Sequence, residues 1–198
     1  MHDKYGAGQD PYTWKNSAVL RNKLFITDDQ ELTDVERQVT QLAAHAIVFN
    51  GPPFNLQYWQ HIHRQLFCEL FEWAGQLRTI IISKGETNFG LPQGIDRQCK
   101  MVFKQLANDN NLVNLDKPQF INKLAEYYCE LNACHPFRDG NGRAQRILFE
   151  HIALNAGYNL NFANTKVNQW VNANKHGMVC NYQPMIEIMS RCIFDTDS

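Results

Sequence analysis

The chain has 198 residues, 44% of them hydrophobic and 20% charged, with a formal net charge of −1. That balance fits a single globular domain with a sizeable core and excludes disordered and fibrous classes. Near-neutral charge without a Lys/Arg run excludes the broad electrostatic grip that nucleic acid needs, and no apolar stretch approaches the roughly 18 residues of a membrane span.

The opening MHDKYGAGQDPYTW has neither the basic start nor the apolar core of a signal peptide, so we expect a cytoplasmic protein with no membrane or nucleic-acid partner. Six cysteines, at 68, 99, 129, 134, 180 and 192, form no C-x-x-C pair and are expected as buried, reduced thiols. Residues 1–26 contain Gly6, Gly8 and Pro11 and read as an irregular N-terminal arm held down by Tyr5, Tyr12 and Trp14.

Thr27-Asp-Asp-Gln30 has the spacing of a capping box, and Leu32, Val35, Val39, Leu42 and Ala46 follow at helical intervals, which predicts a helix over about 28–48. After the Gly51-Pro-Pro-Phe54 break, Leu56, Trp59, Ile62, Leu66, Leu70 and Trp73 predict a second amphipathic helix closed by Gly75. Residues 77–82, LRTIII, are the β-type run, and Lys84-Gly-Glu-Thr-Asn88 is turn material, so a small β-hairpin is expected over 80–91. Further helices are expected over 94–107, from an Asp116 cap through Leu131, from Arg143 to a stop at Gly157, and over 164–175 and 184–194. The expected architecture is all-α with one hairpin.

The chemistry concentrates in His135–Arg146, HPFRDGNGRAQR. A glycine-bearing loop directly before a helix N-terminus is anion-binding architecture, because Gly140 and Gly142 permit unusual backbone angles and successive N–H groups then converge on one phosphate. Arg143 and Arg146 share a face of the helix and lean back toward the same anion, and two guanidiniums suit more than one phosphate. Asp139 is the loop's one carboxylate, enough for Mg²⁺ when phosphates and water complete the shell. His135 titrates near neutrality and can accept a proton from a hydroxyl beside the phosphate. Phe137 is read as an anchor in the core. His61 and His63 lie two apart on a helix and face different ways, so packing is their expected role, and Cys134 beside His135 lacks the geometry of a nucleophile–base pair.

HPFRDGNGRAQR resembles the Fic (filamentation induced by cAMP) family signature, HPF-x-[DE]-G-N-G-R-x-x-R, at every fixed position. The segments IHRQLF (62–67), EWAGQLR (72–78) and the hairpin beginning near Ile80 extend the similarity over roughly 55–157, and KYGAGQDPYT resembles the opening of short bacterial members. The resemblance implies one Fic domain over 1–198, with its core at about 55–157 and additional C-terminal helices at 164–194. It further implies a protein adenylyltransferase that moves AMP from ATP to a Tyr, Ser or Thr hydroxyl with loss of pyrophosphate.

On that resemblance, His135 is the base, Asp139 holds Mg²⁺ or Mn²⁺, and Gly140, Asn141 and Gly142 hold the α- and β-phosphates. Arg143 and Arg146 take the β- and γ-phosphates. Ile82, Lys84, Thr87, Asn88 and Phe89 belong to the flap that docks the target by strand addition. Members of this type suggest a toxin with a small antitoxin that supplies an inhibitory helix in trans, and a type II topoisomerase ATPase subunit as target. Alternatives are a Doc-like protein kinase, a transferase using another nucleotide, and a catalytically silent interaction protein. Gly142, where Doc-like loops carry lysine, and the retention of every motif residue favour AMP transfer. The partial inhibitory spacing Thr27–Glu31 is followed by Leu32 and is read as helix capping.

Overall fold

A computed structural model describes residues 10–85 and 87–196. Tyr5, Gly6, Gly8 and the rest of the KYGAGQ opening lie outside the described residues, as does Glu86 in the expected turn. Among the described residues the elements are α1 (Asp29–Ala46), α2 (Leu56–Phe67), β1 (Ser83–Lys84), β2 (Thr87–Asn88), α3 (Pro92–Asn108), α4 (Lys117–Cys134), α5 (Asn141–Asn155), β3 (Tyr158–Leu160), α6 (Val167–Gly177), α7 (Gln183–Cys192) and β4 (Ile193–Asp195). The fold is all-α with the expected small hairpin and, unexpectedly, a second short antiparallel ladder.

Helix α4 runs through the middle and packs against α3, α5, α6 and α7. Phe120, Leu124, Ala125, Tyr128 and Leu131 are all buried along it, each large one removing apolar surface worth roughly 2 kcal/mol. Its start matches the expected cap, for the Asp116 side chain accepts from the Gln119 N–H at 2.9 Å. Gln145 of α5 donates to the Tyr128 carbonyl at 2.7 Å, so the two helices that bracket the HPFRDG loop are tied together behind it.

Several boundaries differ from the expectation, each for a local reason. The N-cap of α1 is Asp28 rather than Thr27: the Asp28 carboxylate accepts from Glu31 N–H at 2.8 Å, which moves the cap one residue on. Helix α2 stops at Phe67. Leu70 and Phe71 then turn back with their N–H groups on the Phe67 carbonyl, and the chain reaches Gly75 at φ +78°. The apolar residues after 67 therefore pack through turns. Residues 77–82 form no strand, because the Arg78 N–H bonds Pro136 across the loop. Pairing is confined to Ser83 with Asn88 and Lys84 with Thr87.

At the C-terminal end, Ile193 and Phe194 leave the expected last helix and, with Asp195, pair antiparallel with Tyr158–Leu160, a second short ladder that apolar periodicity hid. The arm is anchored as its aromatics suggested. The Tyr12 ring meets Trp73 edge-on, its hydroxyl lies 3.2 Å from Thr79 Oγ1, and Trp14 donates to the Ile26 carbonyl. Of the six cysteines none is paired; Cys99, Cys129, Cys134 and Cys192 are buried, whereas Cys68 is half-buried and Cys180 exposed.

Candidate active site

Helix α4 ends at Cys134, and His135 caps it in the left-handed region at φ 42°, ψ 63°. A non-glycine residue there is strained, and such strain is retained where the surroundings fix a side chain for a purpose. The imidazole is held on two sides. The Phe89 ring, at the end of the hairpin, stacks on it with centroids 3.7 Å apart and planes at 17°. The Asn132 carbonyl lies 3.3 Å from Nδ1. A carbonyl only accepts, so Nδ1 carries the proton and Nε2 keeps its lone pair. Burial pushes the imidazole down to about 4, against a smaller opposing pull from the Asn132 carbonyl. The expectation that His135 titrates near neutrality is corrected: burial leaves the ring neutral at physiological pH.

The loop after His135 is rigidified from inside. Phe137 is fully buried and stacks on His63 at 3.9 Å, which bears out its role as anchor. Asn141 accepts from the Phe137 N–H and donates to the Phe137 carbonyl, both at 2.8 Å, closing the loop on itself. Its side chain is thus committed to loop shape, and what Asn141 offers an anion is its backbone N–H. Asn141 and Gly142 open α5, where N–H groups have no carbonyl a turn earlier to meet.

Only one of the two loop glycines is conformationally required. Gly140 sits at φ +75°, and a Cβ there would come 2.3 Å from the Phe67 ring. Gly142 is inside α5 with no positive φ; a Cβ there would stand 3.5 Å from Arg146 Nη1, in the space the arginines face. The expectation that both glycines supply unusual backbone angles is corrected: Gly140 supplies the angle, Gly142 the room.

His135, Asp139, Gly140, Asn141, Gly142, Arg143 and Arg146 all line one cavity of about 290 Å³, with Lys84, Thr87 and Phe89 at its mouth. Ile82 is fully buried and Phe89 nearly so, their side chains turned inward, while Lys84 and Asn88 are exposed. The Asp139 carboxylate accepts from the Gly140 N–H at 2.6 Å within that cavity. Among the described residues no group of three His, Cys, Asp or Glu is arranged to hold a metal. One carboxylate beside an anion nest fits Mg²⁺ that takes the rest of its shell from phosphates and water.

Other contributors could not be read from the motif. Glu36 and Thr40 of α1 reach Arg143: Glu36 forms an ion pair with it, and Thr40 Oγ1 accepts from Nη1 at 3.2 Å. The guanidinium also lies 4.7 Å above the Phe67 ring. The glutamate that reaches the motif is thus Glu36, and it meets the first arginine; Glu31 is exposed. His63, expected to pack, also bonds: its Nδ1 accepts from the Gly75 N–H at 2.9 Å and its Nε2 donates to the Asp139 carbonyl at 2.9 Å. Asp10 of the arm accepts from Arg138 at 2.8 Å, a pair in which Arg138 is buried and Asp10 half-buried. Trp170, Asn174, Lys175 and Met178 of the α6 region form the far wall of the cavity. The only signals for these were polar residues inside apolar stripes, which spacing alone does not assign.

A family model described as the Fic/DOC family matches residues 53–153. The chain is 37% identical over 193 residues to "Probable protein adenylyltransferase Fic" of Escherichia coli K12, covering 98% of this chain and 96% of that protein. It is 34% identical to "Protein adenylyltransferase VbhT" of Bartonella schoenbuchensis, over 80% of this chain and 34% of that one. Among solved structures, the BepC protein of Bartonella tribocorum with bound AMPPNP superposes with TM-score 0.86 at 28% identity, covering 93% and 97% of the two chains. An N-terminal Fic domain from Bartonella quintana with bound ADP gives 0.87 at 30% identity, covering 93% and 94%. With the signature intact, the loop geometry in place and the whole described fold shared, the chain belongs to the Fic/DOC family.

Proposed function

We propose that this protein transfers AMP from ATP to a hydroxyl of another protein. The observation that carries it is the placement of His135, which lines one cavity with the α5 N-terminus while its Nδ1 faces the Asn132 carbonyl, leaving Nε2 to act as base. The relatives named protein adenylyltransferases, and the neighbours with bound AMPPNP and ADP, support an adenine nucleotide as the ligand of that nest.

In this reading the Asn141 and Gly142 N–H groups and the positive end of α5 receive the phosphates, and Arg146 and Arg143 offset the charge farther along the chain. The target hydroxyl oxygen attacks the α-phosphorus in line, and a new O–P bond forms as the bond to the β-phosphate oxygen breaks. His135 Nε2 takes the hydroxyl proton and pyrophosphate leaves with the bonding pair. Asp139 would hold Mg²⁺, which when bound draws charge off the phosphates. The hairpin edge at Lys84, Thr87 and Asn88 would receive an extended target segment by strand addition. We further propose a toxin role, with a separate small chain supplying inhibition: Arg143 is engaged from within by Glu36, whereas the partial inhibitory spacing ends at the exposed Glu31.

The test is mass spectrometry of proteins modified in a bacterial lysate given ATP and Mg²⁺. An adenylyl adduct on Tyr, Ser or Thr with wild type and none with His135→Ala is expected. A bare phosphate adduct would replace this reading with the Doc-like one.

A further inference from the structure

Arg78 is 2% exposed, yet its hydrogen bonds go to carbonyls alone. Nε donates to the His135 carbonyl at 2.8 Å, and Nη1 to Ile80 at 2.7 Å. Nη2 donates to Gly90 at 2.5 Å and to Cys134 at 3.4 Å. Its backbone N–H adds a bond to Pro136 at 2.8 Å. These acceptors come from both feet of the hairpin, Ile80 and Gly90, and from the C-terminus of α4 at the catalytic histidine. A rigid planar fork is the side chain able to reach them together; a lysine ammonium, donating from one point, is not. The cation also sits at the negative end of α4, where the last carbonyls lack helical partners.

We propose that Arg78 is a positioning residue that locks the flap hairpin to the His135 backbone, so that a segment seated on the hairpin meets the imidazole at a fixed distance. The lock is backed by Phe89, stacked on the imidazole, and by the Gly90 N–H on the Ala133 carbonyl at 3.4 Å. On the proposed reading the phosphates bind at the N-terminus of α5, to which no Arg78 side-chain bond runs. Loss of Arg78 should therefore separate transfer from ATP binding. This rests on the adenylyl-transfer reading for its kinetic part only.

The experiment compares wild type, Arg78→Lys and Arg78→Ala by AMPPNP calorimetry, transfer of label from α-labelled ATP, and amide hydrogen exchange. Arg78→Lys should bind AMPPNP within about threefold of wild type while transferring at least ~30-fold more slowly. Its Phe89 and Gly90 amides should exchange ~10-fold faster or more. Added ethylguanidinium should restore part of the transfer by Arg78→Ala. Wild-type transfer and exchange in Arg78→Lys would overturn the proposal, as would a parallel loss of AMPPNP binding and transfer. Should neither variant fold, wild-type exchange decides: the Phe89 and Gly90 amides should open together with the last turn of α4, and independent opening of the hairpin would overturn the lock. If wild type moves no label at all while the variants still loosen the hairpin, the adenylyl-transfer reading fails and the lock stands.

Discussion

Glu36 and Arg143, 107 residues apart in sequence, form an ion pair that brings α1 onto the phosphate-binding helix. Nothing in the spacing of either residue announces it. The pair is part-buried, with Glu36 14% and Arg143 32% exposed as side chains, so solvent screens it less than a surface pair. It holds the guanidinium over Phe67 and also sets a negative charge near the anion site.

Glu36→Gln keeps an oxygen acceptor and removes that charge. Relief of repulsion on the order of 1 kcal/mol should tighten ATP binding about fivefold, measured by calorimetry. Weaker ATP binding in Glu36→Gln would show that the carboxylate serves only to orient Arg143.

The two loop glycines should separate under substitution. Gly140→Ala must carry a Cβ at φ +75° and against the Phe67 ring, and should cost roughly 2–5 kcal/mol. Gly142→Ala adds a methyl in a helix and should leave stability within about 1 kcal/mol while weakening ATP binding. Urea denaturation of both, beside ATP affinity, checks this; equal stability losses would contradict it.

The arm should matter to the loop. Asp10→Ala removes one carboxylate partner of Arg138, whose side chain is 5% exposed, and losing a hydrogen bond to a charged group costs roughly 1.5–3 kcal/mol. Thermal unfolding of Asp10→Ala against wild type measures it. A change under ~0.5 kcal/mol would mean the arm only rests on the surface.

His63 supplies a pH test. Burial pushes it down to about 4 from an ordinary 6.5, so the unfolded chain takes up the proton first as pH falls. The stability linked to its neutral form is complete above about pH 6.5 and is lost as pH falls toward 4, a change of ~3 kcal/mol at most. His63→Gln should therefore destabilise most at pH 7.5 and least near pH 4.5 in urea titrations. A pH-independent difference would contradict the buried, neutral imidazole.

Much of the site was legible because it is contiguous: His135, Asp139, Gly140, Arg143 and Arg146 lie in one loop and one helical turn, where spacing fixes direction. The helices were legible through caps such as Asp116 and through apolar periodicity. What escaped depended on long-range contact. Arg78 sits in an apolar run that reads as a strand until its side chain is seen taking up the carbonyls of the flap. Asn141 looked like a phosphate ligand, but its amide is used by Phe137, a choice that depends on how tightly the loop closes. Ile193 and Phe194 left the expected helix because Tyr158–Leu160 offered a ladder that no local pattern encodes.

The central claim, AMP transfer based on His135, is tested most directly by supplying α-labelled and, separately, γ-labelled ATP with Mg²⁺ to the protein in lysate, beside His135→Ala. Protein-bound label from the α position alone, lost in His135→Ala, is the predicted result. Label from the γ position alone, or α label that survives in His135→Ala, would contradict it.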